Sequence, residues 1–368
     1  MKTKQQYKPQ GQRGLFDDEL TAEKLKTKGK GKLLTGLSRA IDFEYFRQPL
    51  EDALRKPRLT NAGAKAYAPL MMFKILVLQR VYNLSDEDTE YQILDRISFR
   101  DFLGLASGDR VPDQNTIRNF REKLVELKQF DVLFDHFYAY IEAKGLIMEE
   151  GIIVDGSFME VPRQHNTREE NAIIKAGEGH TLWNPDENDS PREKQRKANK
   201  KRQKDTDARY TKKGNKTYYG YEVHDKIDAG SKFIKKRVVT HAAVHDSKMV
   251  SRLVNEKDRG QPGYFDSAYI GPRVRRALYK YGIRACVVKH KTKGKELSKN
   301  QKTRNKRYSK TRARVEHVFG FCEQSLHGMG SRLIGMARNE AYGQFSALVY
   351  NLCRYEQVTR IEHKKVAA

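Results

Sequence analysis

Residues 151–157 have the sequence Gly-Ile-Ile-Val-Asp-Gly-Ser, and the character of the chain changes at this point. The β-branched run at 152–154 predicts a short buried strand, and the Asp-Gly-Ser that follows predicts a turn that ends it. Residues 263–266, Gly-Tyr-Phe-Asp, form a second short apolar segment that stops at an aspartate. Asp155 and Asp266 are therefore expected at the carboxyl ends of strands, where open α/β sheets bind their ligands.

Strand and helix patterns alternate throughout the second half of the chain. The predicted elements are a hairpin at 217–227 and 233–240, a helix at 245–254, a strand at 263–266, a helix at 272–281, a strand at 283–288, a basic loop at 289–306 and a helix at 309–326. This order predicts a mixed β-sheet with helices on its faces. Residues 163–216 form a polar, strongly basic insertion within it.

The first half has the apolar spacing of helices. Pro69 suits the first turn of a helix that runs to about residue 83, and Ser85, followed by three acidic residues, caps the next helix. We divide the chain into a basic, partly flexible segment at 1–60, an all-helical domain at 61–148, an α/β domain at 149–335 that contains the insertion 163–216, and a C-terminal helix at 336–368.

The charge of the chain points to a polyanionic partner. Its 368 residues include 72 Lys and Arg against 47 Asp and Glu, a formal net charge of +25. A membrane is disfavoured, because no apolar run approaches the roughly 20 residues of a membrane span and the basic N-terminus lacks the apolar stretch of a secretory signal. The three cysteines lie far apart, which argues against a zinc site or disulfides and fits a reducing cytoplasm.

Asp155, Asp266 and Glu316 are the candidate catalytic acids. Glu316 lies on the predicted helix at 309–326, where Val315 and Val318 can face the sheet and bring the glutamate over the strand ends. Magnesium binds a few carboxylates, waters and substrate phosphate oxygens, and two ions about 3.5–4 Å apart stabilise both oxygens of phosphoryl transfer. Three converging carboxylates would repel one another without such cations.

Other residues compete for this role, because an aspartate after a strand is often only a turn former. Asp228 belongs to an Asp-Ala-Gly turn, Asp246 is expected to cap a helix, and Asp225 has no such structural explanation. Four histidines near the motifs are interpreted as core or hairpin residues rather than metal ligands. They are His224, His241, His245 and His317.

Taken together, these motifs resemble the bacterial insertion-sequence DDE transposases, specifically the insertion-sequence-five group. The resemblance covers residues from about 15 to 356 and is specific through the order and number of its motifs. Asp155-Gly-Ser matches the first catalytic motif, residues 265–269 (Phe-Asp-Ser-Ala-Tyr) match the second, and residues 312–320 match the third. The helical unit, the hairpin at 219–224 and residues 239–247 also match.

The resemblance implies an RNase H-like (retroviral-integrase-like) α/β catalytic core beside an N-terminal helical domain that binds DNA or dimerises. It makes Asp155, Asp266 and Glu316 the ligands of two Mg²⁺ ions, for which Mn²⁺ can substitute. Activated water would cleave each transposon end, and the freed 3′-hydroxyl would attack target DNA without an organic cofactor. The expected partners are double-stranded DNA, at terminal inverted repeats and at the target, and a second copy of the chain. The expected location is the bacterial cytoplasm, at the nucleoid.

Basic residues near the acids are candidate phosphate contacts. The resemblance expects an arginine one turn before the glutamate, which is Arg312, and a lysine seven residues after it, where this chain has Glu323. The expected tyrosine is displaced by one residue, to Tyr308. Further candidates lie after Pro112, in the insertion and around Glu316; they are Arg118, Arg121, Lys200, Lys201, Arg202, Lys212, Lys213, Lys310 and Arg314. Solvated surface charge is the alternative for all of them.

Three rival functions are weighed against this interpretation. A stand-alone RNase H-like nuclease would have the same acids but would not need the helical unit. A catalytically idle DNA-binding descendant would have lost one of the acids, and all three are present. A basic structural protein of the ribosome or nucleoid would account for the charge but not for the aspartates at strand ends.

Overall fold

The computed structural model describes residues 31–55, 65–106, 108–162, 166–269, 271–289, 291 and 296–366. Most of the predicted basic segment at 1–60 lies outside the described residues. Within them, no helix combines the length and apolarity that crossing a membrane would require.

The first half of the described chain is helical, as predicted. Its helices are α1 (Gly31–Ala40), α2 (Arg47–Leu54), α3 (Pro69–Tyr82), α4 (Asp86–Asp95), α5 (Ile97–Leu103), α6 (Gln114–Glu126) and α7 (Gln129–Ala143). Pro69 occupies the first turn of α3, where its missing N–H costs nothing. Ser85 caps α4 in a reciprocal capping box with Asp88, so the predicted cap is confirmed.

A six-stranded mixed sheet forms the centre of the second half. Its strands are β1 (Ile152–Glu160), β2 (Arg209–Lys213), β3 (Lys216–Asp228), β4 (Ile234–His241), β5 (Pro262–Phe265) and β6 (Arg284–Val287). The order is β2-β3-β1-β5-β6, with β4 also pairing with β3. The β1–β3 and β3–β4 pairs are antiparallel, whereas β1–β5 and β5–β6 are parallel. The predicted hairpin is therefore confirmed.

Helices follow or interrupt these strands. They are α8 (Arg168–Ala176), α9 (Pro191–Gln203), α10 (Val250–Leu253), α11 (Pro272–Lys280), α12 (Lys299–Arg312), α13 (Arg314–Gln324) and α14 (Met336–Val366). The prediction of a loop over 289–306 is wrong for its second half, because a capping box between Ser298 and Gln301 starts α12 there. The single helix expected at 309–326 is in fact two helices that meet at Ala313.

The helical half and the sheet share one hydrophobic core. The long helix α14 packs against β4 on one side and against α7 and α1 on the other. Arg80 of α3 is buried and fastens the two halves together through Ser346 Oγ at 2.7 Å and the carbonyl oxygens of Leu326 at 2.6 Å and Gly328 at 2.8 Å. The helical half is thus held in a fixed position relative to the sheet.

Candidate active site

Asp155 lies on β1, and Asp266 directly follows the end of the parallel neighbouring strand β5. The parallel register of β1 and β5 pairs Ile152 with Gly263 and Ile153 with Tyr264, and continuing it brings the two aspartates level. The expectation that β1 ends at Asp155 is wrong, since β1 continues to Glu160 along β3. It is β5 that ends, at Phe265, so Asp155 emerges at the point where its parallel neighbour stops.

The surroundings of Asp155 shift the pKa of its carboxyl group. Burial raises the pKa of Asp155 to about 6, against the opposing charge of Arg312, and the nearby charge of Asp266 adds to the increase. Arg312 donates from Nη1 to Asp155 Oδ2 at 2.6 Å, and the backbone N–H of Gly156 donates to Oδ1 at 3.0 Å. A buried carboxylate next to a second carboxylate is a favourable place for a cation.

Asp266 is held in place by the turn that follows it. Its Oδ1 accepts hydrogen bonds from the N–H of Ala268 at 2.6 Å and from Ser267 Oγ at 3.1 Å. The Asp-Ser-Ala sequence therefore orients this carboxylate through local backbone contacts, as is typical of aspartate turns.

Glu316 occupies the first turn of α13 with its side chain exposed. Val315 and Val318 are buried and hold α13 against the protein, as the spacing predicts. Arg314 fixes the start of the helix by donating to the carbonyl of Ala229 at 2.6 Å. Among the described residues, no side chain or backbone group forms a hydrogen bond or ion pair with the Glu316 carboxylate.

The rival aspartates Asp225 and Asp228 have structural roles. Asp225 is fully buried and forms a two-point ion pair with Arg237, with both N–O distances at 2.6 Å. Asp228 accepts hydrogen bonds from the N–H and the hydroxyl of Ser231 at 2.7 Å each, which confirms it as a turn former.

Asp246 does not cap a helix, so that expectation is wrong. The cap is His245, whose side chain accepts from the N–H of Ser247. Asp246 instead faces Glu222 and His224 of β3, and ligand atoms of these three residues all lie within 4.8 Å of one another. We call these three residues the β3 cluster. The interpretation of His224 as only a hairpin residue is therefore incomplete.

Opposite pKa shifts mark the two carboxylates of the β3 cluster. Burial raises the pKa of Glu222 to about 8, and the charge of Asp246 raises it further. Burial also opposes ionisation of Asp246, but the hydrogen bond and charge of His224 hold the pKa of Asp246 below its ordinary value. The two carboxylates thus raise each other's cost of ionisation, and His224 favours the charge on Asp246.

The candidate phosphate contacts fall into two groups. Arg121 is engaged inside the protein, because its Nη1 and Nη2 donate to the two oxygens of Asp86 at 2.6 and 2.8 Å. Lys200 pairs with Glu170 at 3.2 Å, and Arg314 is engaged as described above. The other candidates have exposed side chains; they are Arg118, Lys201, Arg202, Lys212, Lys213 and Lys310. Of these, Lys201 also donates to Asn184 Oδ1.

Sequence reasoning passed over Glu222 and Tyr269 and interpreted His224 as a core or hairpin residue. Glu222 and His224 are two apart on a strand and therefore share a face, which is a signal that the hairpin pattern contained. Tyr269, four residues after Phe265, is buried with a hydroxyl that lacks a hydrogen-bond partner among the described residues. Its position in the Phe-Asp-Ser-Ala-Tyr motif was the available signal.

Two protein-family models match the chain. Residues 21–123 match the model described as "Transposase domain (DUF772)", and residues 147–352 match "Transposase DDE domain". Among solved structures, the chain is similar to a piggyBac transposase in the cryo-EM structure of its synaptic complex with hairpin DNA. The identity is 11%, the match covers 95% of this chain and 77% of that one, and the TM-score is 0.42.

Proposed function

This chain belongs to the transposase DDE domain family, and we propose that Asp155, Asp266 and Glu316 are its catalytic carboxylates. The family match makes the protein a DNA transposase, an enzyme that cleaves and joins DNA, and confirms the expected RNase H-like mixed fold. Assignment to the insertion-sequence-five group is compatible with both matches and is part of the proposal. The observation that carries the site is the parallel pairing of β1, which holds Asp155, with β5, which Asp266 directly follows.

Transposases of this family generally use divalent metal ions. We assign two Mg²⁺ ions, replaceable by Mn²⁺, to Asp155, Asp266 and Glu316. Such ions activate the attacking oxygen and stabilise the leaving oxygen of a phosphodiester. The residues fit this role, because Asp155 is buried beside Asp266 and Glu316 has no partner that would compete among the described residues.

The chain's own residues position the reacting groups. Arg312 keeps Asp155 ionised and aligned, and its remaining N–H groups are available to a DNA phosphate. The N–H of Gly156 fixes the second oxygen of Asp155, and the turn after Asp266 fixes the second carboxylate. The chemistry assigned to this arrangement is hydrolysis at each transposon end, followed by attack of the 3′-hydroxyl on target DNA.

The exposed basic residues supply the DNA contacts in this proposal. Lys212 and Lys213 lie on β2, and the charge of Lys213 reaches Asp155. Lys201 and Arg202 end α9, and Lys310 lies on α12 two residues before Arg312. Phosphate contacts of this kind give affinity, while Arg118 on α6 is assigned to the terminal inverted repeats. Three further basic residues are assigned structural roles, because each already donates to or pairs with a group of the protein. They are Arg121, Lys200 and Arg314.

The proposal extends to the assembly and to the division of the chain. The protein acts as a homodimer on paired transposon ends, with residues 61–148 as the DNA-binding or dimerisation domain and residues 149–335 as the catalytic domain. The shared core and Arg80 support a rigid connection between the two.

Strand cleavage on DNA that carries the element's own terminal repeats tests the function. With Mg²⁺ or Mn²⁺, the wild-type protein is expected to nick at the transposon end. Asp155→Asn, Asp266→Asn and Glu316→Gln should each reduce cleavage by about 10³-fold or more, the scale seen when one member of a catalytic unit is lost, while DNA binding persists. Glu323→Gln, on the same helix α13, is the matched control and should cleave normally.

Two outcomes would contradict the assignment. Normal cleavage by one of the three variants would remove that residue from the site. Equal cleavage of any duplex, without dependence on the terminal repeats, would indicate a nuclease rather than a transposase.

A further inference from the structure

The β3 cluster lies on the face of the sheet opposite Asp155. Glu222 and His224 alternate with Asp225 along β3, and the register pairs His224 with Gly156 and Asp225 with Asp155. Because successive side chains of a strand point to opposite faces, the cluster shares the face of Gly156 and not that of Asp155. The cluster therefore does not share a face of the sheet with Asp155, although the charge of Asp155 reaches Glu222.

The space around the cluster depends on Gly156. A Cβ atom at this position would lie 3.0 Å from Asp246 Oδ1 and 3.1 Å from Glu222 Oε1. Glycine is the residue that leaves room there between β1 and the two carboxylates. Any larger residue would press on both potential ligands at once.

The geometry of His224 suits metal coordination. Its Nε2 lies 2.9 Å from Thr240 Oγ1, a hydrogen bond that fixes the ring. Its Nδ1 is fully buried and lies 3.3 Å from Asp246 Oδ1, and beyond this mutual contact neither atom has a hydrogen-bond partner among the described residues. Two ligand atoms bound tetrahedrally at about 2.0–2.1 Å from one ion are separated by about 3.3 Å. Outer-shell support of the second ring nitrogen is usual for a metal-binding histidine.

Tyr269 supplies an independent observation. Its side chain is 1% exposed, and its hydroxyl has no hydrogen-bond partner among the described residues. Burial, followed by the charge of Asp246 and then those of Asp155 and Glu222, raises the pKa of Tyr269 well above its ordinary value. The turn at 267–269 that carries Tyr269 packs against the turn at 246–248 that carries Asp246. A buried hydroxyl without a partner commonly marks a position for a bound water or ion.

We propose that Glu222, His224 and Asp246 bind one divalent transition-metal ion of the Zn²⁺ or Mn²⁺ class, with the Tyr269 hydroxyl facing an ion-bound water. An imidazole ligand favours transition metals, whereas Mg²⁺ prefers oxygen ligands alone. Two carboxylates, one buried (Glu222) and one partly buried (Asp246), supply the negative charge that the ion requires. This ion is distinct from the ions assigned to the catalytic carboxylates.

The proposed ion stabilises β1 on the face of the sheet opposite Asp155. It ties β3 to the segment after β4 beside Gly156, whose N–H donates to Asp155 Oδ1. The ion thus helps to fix the strand that carries the first catalytic acid. Metal binding at this site does not depend on whether the protein cleaves DNA.

Metal binding to a catalytically disabled protein tests the proposal. The background is the triple variant Asp155→Asn, Asp266→Asn, Glu316→Gln, and the probe is Co²⁺, measured by equilibrium dialysis and visible absorption. One Co²⁺ per chain is expected, with an absorption band that indicates nitrogen and oxygen ligands. Absence of binding to this background would overturn the proposal, whatever the wild-type protein does to DNA.

Two additional substitutions assign the ligands. In that background, His224→Gln or Asp246→Asn should weaken Co²⁺ binding more than about 100-fold. Loss of a residue that only hydrogen-bonds to a ligand weakens metal binding by roughly 10–100-fold. His241→Gln is the matched control, because His241 is on neighbouring β4 and its Nδ1 also lacks a partner, yet it lies outside the cluster. Unchanged binding in both ligand variants would show an ordinary His–Asp pair.

Thermal unfolding of the triple variant and of its Asp246→Asn form provides a second test in case His224→Gln folds poorly. Asp246 is only partly buried and lies in a short turn, so Asp246→Asn should fold, which circular dichroism checks. Zn²⁺ or Mn²⁺ should raise the Tm of the triple variant, because a ligand that binds only the folded state stabilises it. An equal rise in the Tm of the Asp246→Asn form would refute the site.

Discussion

Arg312 Nη1 lies 2.6 Å from Asp155 Oδ2, although the two residues are 157 positions apart in the chain. Arg312 is the last residue of α12, and Glu316 lies in the first turn of α13, which follows the joint at Ala313. The ion pair therefore holds Asp155 ionised and also anchors the helix that carries the third acid beside the strand that carries the first. One contact links two parts of the proposed site.

Replacement of Arg312 tests this double role. Arg312→Gln should lower cleavage strongly and reduce the free energy of unfolding by about 1–3 kcal/mol, because a mostly buried carboxylate loses its charged donor. Arg312→Lys should retain part of both properties, since it keeps the charge but not the planar guanidinium group. Cleavage rates and urea unfolding measure the two effects. Arg307→Gln, an exposed arginine of α12, should match the wild type, and a similar loss there would indicate a general effect of charge.

Arg118 and Arg121 should behave differently although they lie one turn apart. Arg121→Ala should destabilise the fold by about 1–3 kcal/mol, because it leaves Asp86 without its two-point donor. Arg118→Ala should change stability by less than about 0.5 kcal/mol. It should weaken DNA binding and reduce the salt dependence of binding by about one ion. Thermal melts measure the loss of stability, and salt titrations measure the loss of DNA binding. If Arg121→Ala weakened DNA binding without destabilising the fold, Arg121 would belong to the DNA interface.

Asp225 should prove structural rather than catalytic. Arg237→Met should destabilise the protein by about 3–5 kcal/mol, because Asp225 would remain as a buried charge without its partner. Asp225→Asn should also lower stability, whereas Asp266→Asn should change stability little. Urea unfolding measures these differences. A stable Asp225→Asn protein that fails only in cleavage would place Asp225 in the catalytic site.

The basic insertion should lose stability in acid through Glu170. Although burial opposes ionisation, Lys204, Lys200, Trp183 and the Thr167 backbone hold the pKa of Glu170 at about 2, below its ordinary 4.5. A lowered folded-state pKa stabilises the fold above pH 4.5, and this contribution is lost as the pH falls towards 2. Glu170→Gln should therefore cost about 1–2 kcal/mol near neutral pH after allowance for screening by water.

Fluorescence of Trp183 reports this contact, because it is the single tryptophan of the chain and its Nε1 donates to Glu170 Oε1 at 2.9 Å. Emission should change as the pH falls towards and through about 2 in the wild type and show no such transition in Glu170→Gln. Glu169→Gln is the neighbouring control and should keep the transition. Identical acid titrations of all three proteins would contradict the assignment.

Local sequence patterns determined much of this protein. The β-branched run at 152–154 and the alternating hairpin specified strands, Ser85 and Pro69 specified helix starts, and the aspartate after each short apolar segment marked the candidate site. These features were readable because each depends on residues within a few positions of one another. The family-specific order of the motifs added the third acid.

Only the tertiary structure decided which charged side chains pair inside the protein and which remain exposed. Arg121 and Arg118 look alike in sequence, yet one is taken up by Asp86 on another helix. Asp225 and Asp246 are both acids of the hairpin region, yet one meets Arg237 and the other meets His224. Strand register and helix packing create these pairs between residues far apart in the chain. Since the energy of a buried charge depends on the partner it meets, the role of each such residue followed from the fold and not from its neighbours in sequence.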